Sequence, residues 1–262
     1  MVYSCAPHHG EEPPLSGWKG SGTIFFSRCN MKCVYCQNYQ FSQSDAGRKV
    51  TARELAGMML ELQEEGCHNI NFVSPTHFTP AIVEALKYAY EDGLKIPLVY
   101  NTGGYDTFDV IKALDGIIDI YLPDMRYASD EMAVKYSSAP GYVKNNRNIV
   151  KEMYRQVGTL KIKDDVARKG LIIRLLVLPH GISGTVETLE FISKELGKDV
   201  YLSVMSQYYP AYKARDFKEI SRRVTGGEYQ QVLDKLDQLG MGKGYIQPFE
   251  GRFDEKFFGE NL

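Results

Sequence analysis

The sequence predicts an α/β fold assembled from successive strand–helix units around a mostly parallel sheet. Two observations carry that prediction. Short β-rich runs alternate with amphipathic helical segments along the chain, and several of those runs are apolar through most of their length, as strands buried on both faces are. A third is the punctuation, since the clearest helices open on a cap signal and stop at a glycine.

The first strand is GTIFFSR at 22–28, followed by a loop bearing cysteines. TARELAGMMLELQEEG at 51–66 places Thr51 and Glu54 in capping-box spacing and ends on glycine, so it reads as a helix. NINFVS at 69–74 is the second strand, and TPAIVEALKYAYEDG at 79–93 is a helix with Thr before Pro at its start. The remaining strands are LVYNT at 98–102, IIDIYLPD at 117–124, LIIRLLVLP at 171–179 and VYLSVMSQ at 200–207. Further helices are predicted near 107–114, 129–137, 142–157, 184–197 and 226–240. Six units are too few for an eight-stranded barrel. A doubly wound open sheet and a partial, unclosed barrel both fit. In either, ligands belong at the C-terminal ends of the strands, which directs attention to 29–38, 74–78, 101–106, 124–127, 174–181 and 205–209.

A chain of 262 residues supports one large domain with a substantial core, and no Gly/Ser/Pro linker or long repeat divides it. Residues 1–262 are read as a single domain, with 1–21 an N-terminal extension, 22–207 the core, and 208–262 a C-terminal helix and tail. A net charge of −2 with both signs interspersed argues against a nucleic-acid or anionic-membrane partner. No apolar run approaches the roughly 20 residues of a membrane span, and the N-terminus lacks the pattern of a signal peptide. The expected compartment is the cytoplasm, where structural disulfides are disfavoured.

Three of five cysteines fall within SRCNMKCVYCQN: Cys29, Cys33 and Cys36, in C-x3-C-x2-C spacing. Three thiols in one strand-to-helix loop make poor core material. Structural zinc closes with four ligands, usually two separated pairs, and Cys5 and Cys67 are isolated. A dithiol redox pair at Cys33 and Cys36 leaves Cys29 without a role. An iron–sulfur cube accounts for all three and keeps one iron open, whereas electron-carrier clusters use four cysteines.

C-x3-C-x-aromatic-C, with Tyr35 as the aromatic residue, resembles the signature of radical S-adenosylmethionine (SAM) enzymes. Cys36-Gln37-Asn38 is similar to the C-H-N following the last cysteine of pyruvate formate-lyase activating enzyme, and the stretch from Glu11 to Gln40 resembles an uncharacterised branch related to that activase. The resemblance implies a partial (β/α)6 TIM-like barrel, a [4Fe-4S] cluster on Cys29, Cys33 and Cys36, and reductive cleavage of SAM to methionine and a 5′-deoxyadenosyl radical that abstracts a substrate hydrogen. It also implies a reducing electron donor such as flavodoxin or ferredoxin. A glycyl radical enzyme is the leading substrate by resemblance. Another protein or a small molecule is the alternative, and a non-enzymatic electron-transfer module is a further one.

The same resemblance assigns SAM contacts at the other strand ends. Asn38 and Tyr35 belong to the motif, and Asn101, Thr102 and Gly103 in YNTGGYD are similar to the activase D-T-N-G. Asp124-Met125-Arg126 resembles D-x-K, with Arg126 facing the methionine carboxylate. Ser74-Pro75-Thr76-His77 departs from the activase G-G-E, so Thr76 or backbone carbonyls take that role, or the segment only leads into a helix. Arg174 interrupts an apolar strand and needs a partner or a polar cavity on physical grounds; an ion pair or SAM supplies it. Met205 and Gln207 are placed at the adenine edge. His180 is expected on the surface, and Arg223-Val224-Thr225-Gly226 reads as a helix start despite a passing likeness to a glycyl-radical loop. Too few cysteines remain for a second cluster. The tail YIQPFEGRFDEKFF is expected to pack over the core.

Overall fold

A computed structural model describes residues 1–249. The elements begin β1 (Val2–His8), α1 (Pro13–Ser16), β2 (Ser21–Phe26), α2 (Tyr39–Ser42), α3 (Ala52–Glu64), β3 (Ile70–Val73) and α4 (Thr79–Glu91). They continue with β4 (Leu98–Thr102), α5 (Phe108–Ala113), β5 (Ile120–Pro123), α6 (Asp130–Ser137) and α7 (Tyr142–Val157). The last are β6 (Lys161–Lys163), β7 (Val166–Leu176), α8 (Thr185–Glu195), β8 (Tyr201–Met205), α9 (Gly226–Leu239) and β9 (Gly244–Ile246).

The strands β2, β3, β4, β5, β7, β8 and β9 run parallel in that order, and β1 pairs antiparallel with β2. Among the described residues β1 and β9 end the sheet without meeting, so it is not closed. All six strands read from the sequence are present. The sheet gains β9 and takes β1 out of the segment read as an extension. The strand read at 171–179 starts earlier, because β6 and β7 form a hairpin through Asp164 and Asp165, both with left-handed φ (52° and 58°) as a two-residue primed turn requires.

Two apolar layers distinguish the partial barrel from a doubly wound sheet. Ile24, Phe72, Tyr100, Tyr121, Ile173 and Leu202 face outward into one core with the helices. Their alternates Val99, Ile120, Leu122 and Ile172 turn inward and enclose Leu15 of α1. The helices supply matching stripes: Leu55, Met58, Met59 and Leu62 on α3, and Ile82, Ala85, Leu86 and Ala89 on α4. Thr51–Glu54 and Thr225–Glu228 both form capping boxes, so the Arg223–Gly226 stretch is a helix start.

α1 lies across the N-terminal mouth of the barrel. Leu15 is fully buried, worth about 2 kcal/mol of apolar transfer. Asn69, just before β3, donates from Nδ2 to the Leu15 carbonyl at 2.9 Å and accepts from Ser21 Oγ at 2.6 Å. Among the described residues no helix is long and apolar enough to cross a membrane. The tail read from 245 to 258 is described to Phe249, which stacks on Tyr229 at 5.9 Å; the rest of it lies outside the described residues.

Candidate active site

The cysteine loop leaves β2 through Arg28, whose φ of 67° turns the chain. Backbone hydrogen bonds from three directions fix its course: Lys32 N to Ser137 O (2.9 Å), Val34 N to Tyr136 O (2.8 Å) and Lys213 N to Val34 O (2.8 Å). Beneath it Tyr35 is buried, its hydroxyl 2.6 Å from that of Tyr127 and its ring edge-on to Tyr208 at 5.8 Å. Tyr35 therefore anchors the loop from below.

Cys33 is buried, and Cys29 and Cys36 are half-buried. Ser137 Oγ donates to Cys33 Sγ at 3.1 Å, and Cys36 Sγ lies 3.1 Å from Ser42 Oγ. Burial, then the adjacent Cys33, pushes the Cys29 and Cys36 thiols up, Cys36 to about 11. Ligation must displace their protons. Among the described residues no three Cys, His, Asp or Glu side chains are gathered closely enough to hold a single ion. A cube asks one thiolate of each of three irons, which is what three cysteines in one loop can supply. Cys5 and Cys67 belong to the outer core under α3.

From this loop a ladder of charge descends into the barrel. Cys33 and Tyr35 lie in the electrostatic reach of Arg126. Arg126 pairs with one oxygen of Asp124, and Arg174 Nε donates to the other at 2.9 Å. Arg174 Nη2 donates to Asn101 Oδ1 at 2.7 Å, and its Nη1 stands 3.8 Å from Glu11 Oε2. A bridge between Asp124 and Arg174 extends the β5–β7 pairing to this level. So Arg174 has protein partners, and Asp124 joins two guanidiniums.

The ladder has an open edge. Arg126 Nε is buried without a hydrogen-bond partner. Beside it Gly103 has no side chain, and a Cβ there would come within 2.9 Å of Met31 Sδ and 3.8 Å of Arg126 Nε. The unpartnered Arg126 Nε is a donor suited in chemistry to a carboxylate.

The other predicted residues divide. Thr102 Oγ1 donates to Asp106 Oδ2 at 2.6 Å, and Thr76 Oγ1 lies 3.4 Å from Thr102 Oγ1 in the turn that leads into α4. Met205 and Gln207 meet at 3.6 Å at the end of β8, and Gln37 Nε2 donates to the Gln207 carbonyl at 3.3 Å, so the cysteine loop touches the end of β8. Asn38 is exposed at the start of α2 and makes no side-chain cap. His180 is exposed and 3.1 Å from Arg222 Nη2.

Sequence reasoning passed over Glu11, Glu12 and Asn71 inside the barrel and Ser137 against Cys33. Glu11-Glu12 looks like a solvated pair before Pro13-Pro14, with no signal that the chain runs beneath a barrel. Asn71 offered one: a polar residue at the centre of an apolar strand, as Arg174 is.

Residues 23–156 match the family model for the radical SAM superfamily, just over half of the 262 residues. With the fold and the three cysteines, this places the chain in a defined class: it belongs to the radical SAM superfamily. The [4Fe-4S] cluster and SAM predicted from the motif are that family's cofactors. An uncharacterised protein of Methanocaldococcus jannaschii is 33% identical over 244 residues, covering 89% of this chain and 66% of that protein. Among solved structures, the [FeFe]-hydrogenase maturase HydG from Carboxydothermus hydrogenoformans aligns with TM-score 0.58 at 15% identity, covering 86% of this chain and 52% of its own. Streptococcus suis SuiB bound to precursor peptide SuiA gives 0.59 at 10%, covering 86% and 48%, and methylornithine synthase gives 0.55 at 14%, covering 86% and 63%. These identities show a shared fold. The chain spans less than two thirds of each of these structures.

Proposed function

We propose that this chain cleaves SAM reductively and directs the resulting radical to a substrate inside the barrel. The observation that carries the reading is the cysteine loop at the C-terminal end of β2 set above the buried Arg126–Asp124–Arg174 ladder. When bound, the [4Fe-4S] cluster supplies one electron that splits SAM into methionine and a 5′-deoxyadenosyl radical, which then takes a hydrogen atom from the substrate.

Cys29, Cys33 and Cys36 hold the cluster, and Ser137 tunes it through Cys33 Sγ. Arg126, held by Asp124 and with its Nε unpartnered, presents guanidinium N–H to the methionine carboxylate, and Arg174 braces Asp124 from the other side. Gly103 lets the ligand approach the backbone, and Asn101, Thr102 and Thr76 line the same level. Met205, Gln207 and Asn38 border the adenine. Tyr35 positions the loop through its contacts with Tyr127 and Tyr208. A one-electron donor of flavodoxin or ferredoxin type completes the cycle.

A second reading concerns the substrate. The unclosed sheet, with β1 and β9 unpaired to each other, leaves a side through which an extended peptide loop can enter. A small molecule can enter by the same side, and what points to a glycyl radical enzyme is the likeness of the cysteine loop to that of the pyruvate formate-lyase activating enzyme.

The test is 5′-deoxyadenosine formation by anaerobically reconstituted protein with SAM and a strong reductant. Product that vanishes in Cys33→Ala, together with the brown colour and the iron, supports the reading. A full cluster with neither product nor SAM binding overturns it.

A further inference from the structure

Beneath the Arg174 level, the barrel holds polar groups that SAM cleavage does not use. Glu11 and Glu12 immediately precede α1, which plugs the lower mouth, so both carboxylates enter the interior from below. Glu11 accepts from Asn101 Nδ2 at 3.5 Å and faces Arg174. Glu12 is 6% exposed, neighbours Arg174 and Ser203, and its Oε2 has no hydrogen-bond partner. Asn71 of β3 is fully buried, and neither amide atom makes a well-formed hydrogen bond, although Asn71 stands close enough to the Glu11 carboxylate to stabilise its charged form. Its strand neighbours Ile70 and Phe72 pack outward against the helices, so the Asn71 amide points into the same interior. Buried polar atoms of a native fold are almost always paired, and here three without a well-formed partner, from two separate elements, belong to residues that both neighbour Glu11.

Charge points the same way. Among the described residues three carboxylates, Glu11, Glu12 and Asp124, stand against two guanidiniums, Arg126 and Arg174. One negative charge is in excess. Burial, relieved in part by Arg174 and reinforced by Glu11, pushes the Glu12 carboxyl up to about 7, so a proton fills the deficit near neutrality. A cation placed there would take the proton's place.

We propose that Glu12 and Asn71 form a substrate-binding site for a protonated primary amine carrying an adjacent hydrogen-bond acceptor, the chemistry of an amino alcohol or an amino-acid amide. The ammonium supplies donors to Glu12 Oε2 and Asn71 Oδ1, and the acceptor takes the Asn71 amide N–H. Its location rests on the radical SAM reading above. Contacts lead from Cys33 through Arg126, Asp124 and Arg174 to Glu11 and Glu12, so this site lies on the side of the SAM level away from the cluster. A substrate giving its hydrogen to the adenosyl carbon belongs on that side. SAM also carries an amine beside an acceptor, and the test separates the two.

The experiment is anaerobic calorimetric titration of SAM-loaded, reconstituted holoenzyme with 2-aminoethanol and glycinamide, using ethylene glycol and acetamide as uncharged counterparts. The amines bind and the counterparts do not. Glu12→Gln weakens amine binding by about tenfold or more, and by about ten times more than it weakens SAM. Asn71→Leu, which removes the amide without adding a charge, weakens amine binding and leaves the SAM titration unchanged, a selective loss that misfolding does not produce. Absence of amine binding to the wild type overturns the proposal and assigns the orphan atoms to water. Equal losses for amine and SAM in Glu12→Gln overturn it by assigning the carboxylate to SAM. The 5′-deoxyadenosine assay on the same preparation keeps the two readings apart: product without amine binding sinks this proposal alone, and a full cluster with neither product nor SAM binding sinks the radical reading.

Discussion

Asp124→Asn removes the carboxylate that two half-buried guanidiniums share while keeping its shape. The Asp124 side chain is 7% exposed, against 19% for Arg174 and 23% for Arg126, so water screens the group little. One oxygen accepts from Arg174 Nε at 2.9 Å and the other pairs with Arg126. A hydrogen bond to a charged group is worth about 1.5–3 kcal/mol. The amide can still accept from one guanidinium but must turn its own N–H groups toward the other. The loss is one such bond entire, plus the charge in the second, or about 3–5 kcal/mol, the range for breaking a buried ion pair from one side. Urea unfolding of iron-free wild type and variant at neutral pH measures it. Arg174→Met combined with Asp124→Asn should destabilise less than the two single losses added together. A loss below about 1 kcal/mol in the single variant, or strict additivity in the double, would refute the shared-carboxylate arrangement.

Three further outcomes are expected. Glu12 has a raised folded pKa, from 4.5 to about 7, so its ionisation opposes folding: wild-type stability is intact below about pH 4.5 and declines until about pH 7, by about 3 kcal/mol. Glu12→Gln should therefore be more stable than wild type in urea at pH 8 and nearly equal at pH 4.5; the reverse ordering contradicts the buried-charge account. Gly104→Ala needs a Cβ at φ +73°, 2.2 Å from both the Asp124 carbonyl and Asn146 Nδ2, and should lower stability by about 3 kcal/mol or more by thermal or urea melts. Ser137→Ala deletes the donor to Cys33 Sγ and should lower the cluster's midpoint potential, read by redox titration with electron paramagnetic resonance; an unchanged potential would remove Ser137 from that role.

What could be read in advance divides along physical lines. The six central strands were legible because burial on both faces forces apolar runs. Arg174 stood out because it breaks one of them. β1 escaped because VYSCAPH is an edge strand carrying Pro7 and half-exposed residues, and β9 because three residues starting at Gly244 have no pattern to show. The cysteine loop stood out in the sequence, since three thiols in one loop pack poorly as core and fall one short of a closed zinc site. Arg174 and Asp124 were legible as residues, but their joining through β5 and β7 depends on a register that sequence does not print. Glu11 and Glu12 were invisible for the same reason: their meaning comes from a four-residue helix closing a mouth made by strands far along the chain.

The cysteine loop is held in place by main-chain groups: the amides of Lys32 and Val34 and the carbonyl of Val34. Such a mount is indifferent to side-chain identity. Lys32 is exposed and Val34 only half-buried, so each position can exchange its side chain widely while the three sulfurs keep their places. Proline is the exception, because it alone carries no amide hydrogen. At positions 32 and 34 the loop is thus insulated from drift in its own letters, while Tyr35, between Val34 and Cys36, holds its place by its side chain.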